Sequence, residues 1–140
     1  MTDEIDPLLR EDQYAIQKHL GYAVTGWAED WARVEMEIGD HVLNRQGLPH
    51  GGIHATLMDT AMGYAGCYTG DPDRRQNALT LSMSLNYIGR PNGKRLIAEG
   101  RKVGGGRATF FAEAEVRDET GVLLSTATGV FRYRPRLGQS

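Results

Sequence analysis

At 140 residues the chain has the length of one ordinary domain, enough to bury a core and too short for two independent ones. Its 16 basic and 18 acidic residues leave no cationic excess to grip a phosphate backbone, so nucleic acid is not an expected partner. No apolar run reaches the roughly 18 residues that span a bilayer, and MTDEIDPLLRED is acidic where a signal peptide is basic and then apolar; a soluble, cytoplasmic protein without a membrane partner is expected.

Residues 6–20, DPLLREDQYAIQKHL, set Leu9, Ile16 and Leu20 at helical spacing behind Asp6 and Pro7, a cap and first-turn pair, and predict an amphipathic N-terminal helix. After Gly21 the period falls to two. YAVTGW and WARVEMEI, in which Ala32, Val34, Met36 and Ile38 alternate with Arg33, Glu35 and Glu37, read as strands joined by a turn at Glu29 and Asp30. Residues 52–67, GIHATLMDTAMGYAGC, do not alternate and carry so little charge that a helix here is apolar on nearly every side, as only a buried helix is.

The polar connection DPDRRQ at 71–76 leads back to strands: ALTLSMSLNYI, RLIAEGRKV, RATFFAEAEVRD and GVLLSTATGVFRYR. In the first of these Leu79, Leu81, Met83, Leu85 and Tyr87 are assigned to one face and Thr80, Ser82 and Ser84 to the other. Gly104 to Gly106 and Glu119 to Gly121 supply turns, and the final PRLGQS is expected to fray. One buried helix followed by hairpin-connected strands implies an α+β, hotdog architecture: an antiparallel sheet wrapped around one long central helix, with a short helix in front. A single domain over 1–140, with its core at about 20–133, is expected.

The chemistry concentrates in NRQGLPHGGIHATLMDTAMG, residues 44–63. Asp59 stands among Thr56, Leu57, Met58, Thr60, Ala61 and Met62 with no basic residue three or four positions away, so no local ion pair explains it. Either it meets a solvent gap or a distant Arg, or it is a carboxylate kept as base or nucleophile. His50-Gly51-Gly52 at the helix start offers bare backbone whose unpaired N–H groups favour a developing negative charge, an oxyanion site; the alternative is a tight turn and nothing more. Cys67, the single cysteine, cannot form an internal disulfide and reads as a small buried hydrophobe, with no helper base to make it a nucleophile. His19 and His41 have no evident partners, His54 reads as an ordinary helix side chain, and no Cys/His or Asp/Glu cluster has metal-ligand spacing, so no metal is expected.

The pattern Asn44-x-x-Gly47-x-x-His50-Gly51-Gly52, then Leu57-x-Asp59-x-Ala61, a strand with Thr80 and an end at Asn86-Tyr87, resembles the PaaI-like acyl-CoA thioesterases of the hotdog superfamily over residues 20–133. The resemblance implies that Asp59 is the catalytic carboxylate, that the Gly51 N–H polarises the thioester carbonyl, that His50 and Asn44 order the carbonyl side, and that Thr80 positions water or Asp59. It implies coenzyme A as part of the substrate, no separate cofactor, and a homodimer or dimer-of-dimers homotetramer with sites shared between chains. Gly52 lies where the substrate approaches the backbone, and Arg90 and Arg107, beside Pro91 and Gly106, are the cations expected to meet CoA phosphates. Trp27, Met58, Met62 and Tyr87 serve equally as acyl-pocket wall or as core. Two other functions share these features, a hotdog hydratase or dehydratase and a non-catalytic acyl-CoA binding module.

Overall fold

The computed structural model describes residues 4–134, so residues 1–3 and the expected fraying of PRLGQS at 135–140 lie outside the described residues. Six strands, β1 (Tyr22–Ala28), β2 (Trp31–Glu37), β3 (Asn77–Tyr87), β4 (Arg95–Gly105), β5 (Thr109–Asp118) and β6 (Leu123–Arg134), form one antiparallel sheet in the order β1-β2-β4-β5-β6-β3. A short helix, α1 (Ala15–Leu20), precedes them, and the 17-residue α2 (Gly51–Cys67) packs against all six. No helix among the described residues is long and apolar enough to cross a membrane.

The near absence of charge in α2 is explained by what surrounds it. Leu57, Met58, Ala61 and Met62 have no accessible surface and meet Val34, Met36, Leu96, Ala98, Phe110 and Phe131 from the sheet. Burying each large side chain stabilises by about 1.5–3 kcal/mol, so the helix needs no polar face of its own over this stretch. At Gly100 of β4 a Cβ would lie 2.6 Å from the Ala61 backbone. That glycine lets helix and sheet approach to contact.

The N-terminal segment departs from expectation: only Ala15–Leu20 is helical. Ile16 is 47% exposed, whereas Leu9 is buried in a separate cluster with Trp27, Ala32 and Ala65. Residues 4–14 instead run as a strap, with Glu4 bridging in parallel to Gly26 and Asp6 turning the chain through the Leu8 N–H. Arg75, from the 71–76 connection, donates to the carbonyls of Leu8 and Leu9 and to the Glu11 carboxylate. A helix would consume those carbonyls, and long-range burial of Leu9 outweighs its helical spacing. The strap also explains Glu35, placed by alternation on the outer face yet 7% exposed: Thr25 Oγ1 donates to it at 2.5 Å and Arg33 Nε lies 3.2 Å away, while Arg33 reaches Glu4.

A second correction concerns β3. Its pairing with β6 runs Thr80 to Phe131 and then Ser82 to Val130, so Leu81 is an extra residue in a β-bulge. The bulge reverses the alternation. Ala78 and Thr80 before it, and Met83, Leu85 and Tyr87 after it, face α2, while Leu79, Ser82 and Ser84 face outward and Leu81 is 56% exposed. Thr80 therefore does not share a face with Ser82 and Ser84.

Asp118, at the end of β5 and 2% exposed, fastens two loops. Its carboxylate accepts from the N–H groups of Asn92 and Gly93 on one oxygen, and from Thr120 N, Thr120 Oγ1 and Val122 N on the other. Burial by itself raises the pKa of Asp118, but the hydrogen bonds from Thr120, Gly93, Asn92 and Val122 outweigh it and hold the acid well below the usual carboxylate range. A depressed folded-state pKa contributes stability that is complete above the unfolded value, about 3.9, and is lost as pH falls below it. Asp118→Asn is expected to cost about 2 kcal/mol at pH 7, and the difference in Tm from wild type to shrink below about pH 4. A gap that stays constant from pH 7 to pH 3 would contradict this account.

Candidate active site

The loop before α2 is built by Asn44. Its Oδ1 accepts from the N–H groups of Gln46 and Leu48, its own N–H donates to the Leu48 carbonyl, and its carbonyl receives the Gly47 N–H, where φ is +76°. This closed loop hands the chain to His50, the N-cap of α2, whose Nδ1 accepts from the Gly52 N–H at 2.9 Å. With Nδ1 acting as acceptor, the exposed His50 ring replaces the usual Ser or Asp cap. Across the helix head the Tyr87 hydroxyl donates to the Gly51 carbonyl at 2.8 Å, and a Cβ at Gly51 would meet the Tyr87 ring at 3.2 Å. Asn44, His50, Gly51, Gly52, His54, Tyr87 and Arg90 all border one cavity of about 430 Å³.

Two turns further along α2, Asp59 is half-buried and accepts from Thr80 Oγ1 at 2.6 Å. The bulge at Leu81 is what turns Thr80 toward the helix. The carboxylate opens on a second cavity, of about 370 Å³, whose walls include Trp27, Tyr64, Phe131, Gly63 and Tyr14. Asp59 thus has both a hydroxyl partner and access to open space, and no arginine reaches it among the described residues. The Glu11 carboxylate, held by Tyr64 Oη and Arg75, closes the strap side of this cavity.

The residues matched by a family model described as the thioesterase superfamily are 46–125, from the loop ahead of α2 into β6, and they include both ends of this arrangement. The chain belongs to the thioesterase superfamily. Solved structures like it include a conserved protein of Pseudomonas aeruginosa, 28% identical with a TM-score of 0.79, the match covering 87% of this chain and 95% of that one. A single-substitution variant of the phenylacetic acid degradation protein PaaI from Thermus thermophilus is 27% identical with a TM-score of 0.71, over 84% of this chain and 96% of that one. An Archaeoglobus fulgidus protein, provisionally named an esterase, is 31% identical over 102 residues, 72% of this chain and 63% of that one. The chain therefore spans less than two thirds of that relative's length. The fold is the hotdog thioesterase fold, and the likeness to PaaI makes it PaaI-like.

Within this thioesterase-family chain the two ends of the expected site do not meet. Gly51 and Asp59 are about 12 Å apart along the helix axis, at 1.5 Å per residue, and border different cavities. Arg90 lies at the head of α2, whereas Arg107 lines a third cavity near the helix end with Lys102, Tyr68 and Tyr133. Of the four residues read as wall or core, Met58 and Met62 are core, while Trp27 and Tyr87 each border a cavity. Cys67 is buried, and burial, with Glu11 adding to it and Lys102 opposing, pushes its thiol up to about 12, so it is protonated at neutral pH. His41 Nε2 lies 2.8 Å from the Leu20 carbonyl, a structural contact.

Sequence reasoning passed over three residues at the helix head: Tyr87 as the hydroxyl on Gly51, and the pair His54 and Ser125, whose Nδ1 and Oγ are 2.7 Å apart. No local pattern marks His54, which stands inside an apolar helix while its partner Ser125 is 71 residues away in the chain.

Proposed function

We propose that this protein is an acyl-CoA thioesterase in which Asp59 acts as general base or nucleophile and the Gly51 amide polarises the thioester carbonyl. The observation that carries this reading is the carboxylate of Asp59, oriented by Thr80 at 2.6 Å on the wall of a cavity lined by aromatic side chains. As a base, Asp59 takes a proton from water as the oxygen adds to the carbonyl carbon. The oxyanion is held by the N–H at the head of α2, and collapse expels the CoA thiolate, which takes up a proton. As a nucleophile, Asp59 displaces the thiolate to give an anhydride that water then opens. Single turnover in ¹⁸O water identifies the anhydride when water opens it at the Asp59 carbon, because that route alone leaves label in the Asp59 carboxyl.

Both groups act on one carbonyl only if they come from different chains. The outer edge of β3 meets no strand among the described residues, and Leu79, Leu81, Tyr87 and Ile88 along it are 48–57% exposed. An exposed edge of 11 residues is a template for pairing. Antiparallel pairing of two copies of β3 about a two-fold axis near Met83 and Ser84 sets Thr80 of one chain opposite the partner's Tyr87. Because Thr80 carries Asp59 and Tyr87 carries Gly51, the Asp59 cavity then faces the helix head of the other chain, twice per dimer. Coenzyme A is substrate in this reading and no separate cofactor takes part; Arg90, at the carbonyl end, and Arg107, which has no ion-pair partner among the described residues, are assigned to its phosphates.

A panel of alkyl and aryl acyl-CoAs, assayed by free-thiol detection, tests the function. Thiol release supports hydrolysis. Hydration of an enoyl-CoA without thiol release points instead to a hydratase, and binding without turnover to a carrier module.

A further inference from the structure

The His54 side chain is 5% exposed and lies under the helix head, its ring edge-on to Tyr87 at 5.6 Å and its Nδ1 at 2.7 Å from the fully buried Ser125 Oγ. That contact uses one ring nitrogen. The other, Nε2, has no hydrogen-bond partner among the described residues, and no side-chain nitrogen or oxygen among them is both sealed from solvent and unpaired. Nε2 therefore reaches open space, and the space His54 borders is the cavity shared with Gly51, Asn44 and Tyr87. The direction of the Ser125 contact decides what Nε2 offers. If Nδ1 carried the proton, the Ser125 hydroxyl would have only the Met58 sulfur, 3.9 Å away, to receive its own hydrogen. If Ser125 donates to Nδ1, every buried donor is well satisfied and the ring's proton is on Nε2. Burial lowers the pKa of the ring, which keeps it neutral at neutral pH and preserves this tautomer.

We propose that His54 is a second donor to the thioester carbonyl, its Nε2–H acting beside the Gly51 amide, with Ser125 as the positioning residue that holds its tautomer. Gly51 and His54 are three residues apart, about 4.5 Å of helix rise, and both border this one cavity, so both donors can address a carbonyl oxygen seated in it. No proton is transferred by His54; it supplies a hydrogen bond that strengthens as charge develops on the oxygen. His50 borders the same cavity and uses its Nδ1 as the helix cap.

This inference rests on the thioesterase reading, so the test uses the acyl-CoA that the wild type turns over fastest. A wild type inactive on the whole panel overturns the parent reading and this one with it; an active wild type isolates His54. The double variant His54→Phe/Ser125→Ala keeps a ring against Tyr87 and leaves no buried hydroxyl unpaired, so it is expected to fold with nearly wild-type Tm. Its kcat should fall about 10²-fold with KM changed less than about threefold, and His54→Gln, which restores an amide N–H, should recover part of the loss. A folded double variant with wild-type kcat overturns the proposal. Should the double variant not fold, wild-type protein labelled with ¹⁵N-histidine decides. Binding of an acyl-CoA analogue with CH₂ in place of the thioester sulfur should shift the His54 Nε2–H resonance downfield, and an unmoved resonance in the saturated complex overturns the proposal equally.

Discussion

Asp59→Asn is expected to lower turnover by about 10²–10⁴-fold, the usual loss on removing a general base, while leaving the fold intact. The expectation follows from what the substitution preserves. Asn has nearly the same shape, and its Oδ1 still accepts the Thr80 hydroxyl, so the bond that joins α2 to β3 survives. What disappears is the negative oxygen facing the cavity, and with it both a base and a nucleophile. Because no arginine or lysine pairs with Asp59 among the described residues, stability does not depend on its charge, and a small rise in Tm is consistent with an acid kept for function. The measurement is kcat by thiol release beside Tm by calorimetry. Near wild-type kcat in a folded Asp59→Asn protein would remove Asp59 from the mechanism, whichever of its two roles is assumed.

The second large effect is a gain. Chains carrying Asp59→Asn and chains carrying His50→Ala, each expected to be inactive alone, should recover activity when unfolded together and refolded as a mixture. His50→Ala removes both the Nδ1 acceptor that orders the Gly52 N–H and the ring that borders the helix-head cavity, so the carbonyl side of the site loses the groups that order it. In a mixed dimer paired through β3, one site combines the intact Asp59 of one chain with the partner's intact helix head, and the other site lacks both. Random pairing makes about half of the dimers mixed and leaves about a quarter of all sites whole. Recovery toward a quarter of wild-type specific activity is therefore the expected reading, with size exclusion confirming dimers. A dimeric mixture no more active than its parents would mean that each site is built within one chain, and pairing through the β3 edge would lose its functional argument.

Much of this molecule was legible before any coordinates. The buried helix was readable because seventeen residues with almost no charge cannot face water, and the strand pairs flanking the turns at Asp30, Gly105 and Gly121 because their apolar residues alternate. At the candidate site, Asp59 is conspicuous because an acid is costly to bury, whereas the paired glycines at the helix start read as a tight turn as readily as an oxyanion site.

What the sequence could not decide was every feature that depends on partners distant in the chain. The strap over residues 4–14 has helical spacing, but Arg75, more than sixty residues later, takes its carbonyls and Leu9 is buried against Trp27. The bulge at Leu81 is invisible to alternation, because one inserted residue exchanges the faces without changing the composition. It alone brings Thr80 onto Asp59. Nor does His54 declare itself in sequence: a histidine inside an apolar helix becomes an aimed donor only when Ser125, seventy-one residues away, occupies its other nitrogen. Local pattern determined which elements form, since it records solvent exposure along a segment, and tertiary structure decided which side chains meet, since hydrogen-bond partners are chosen by the whole packed chain.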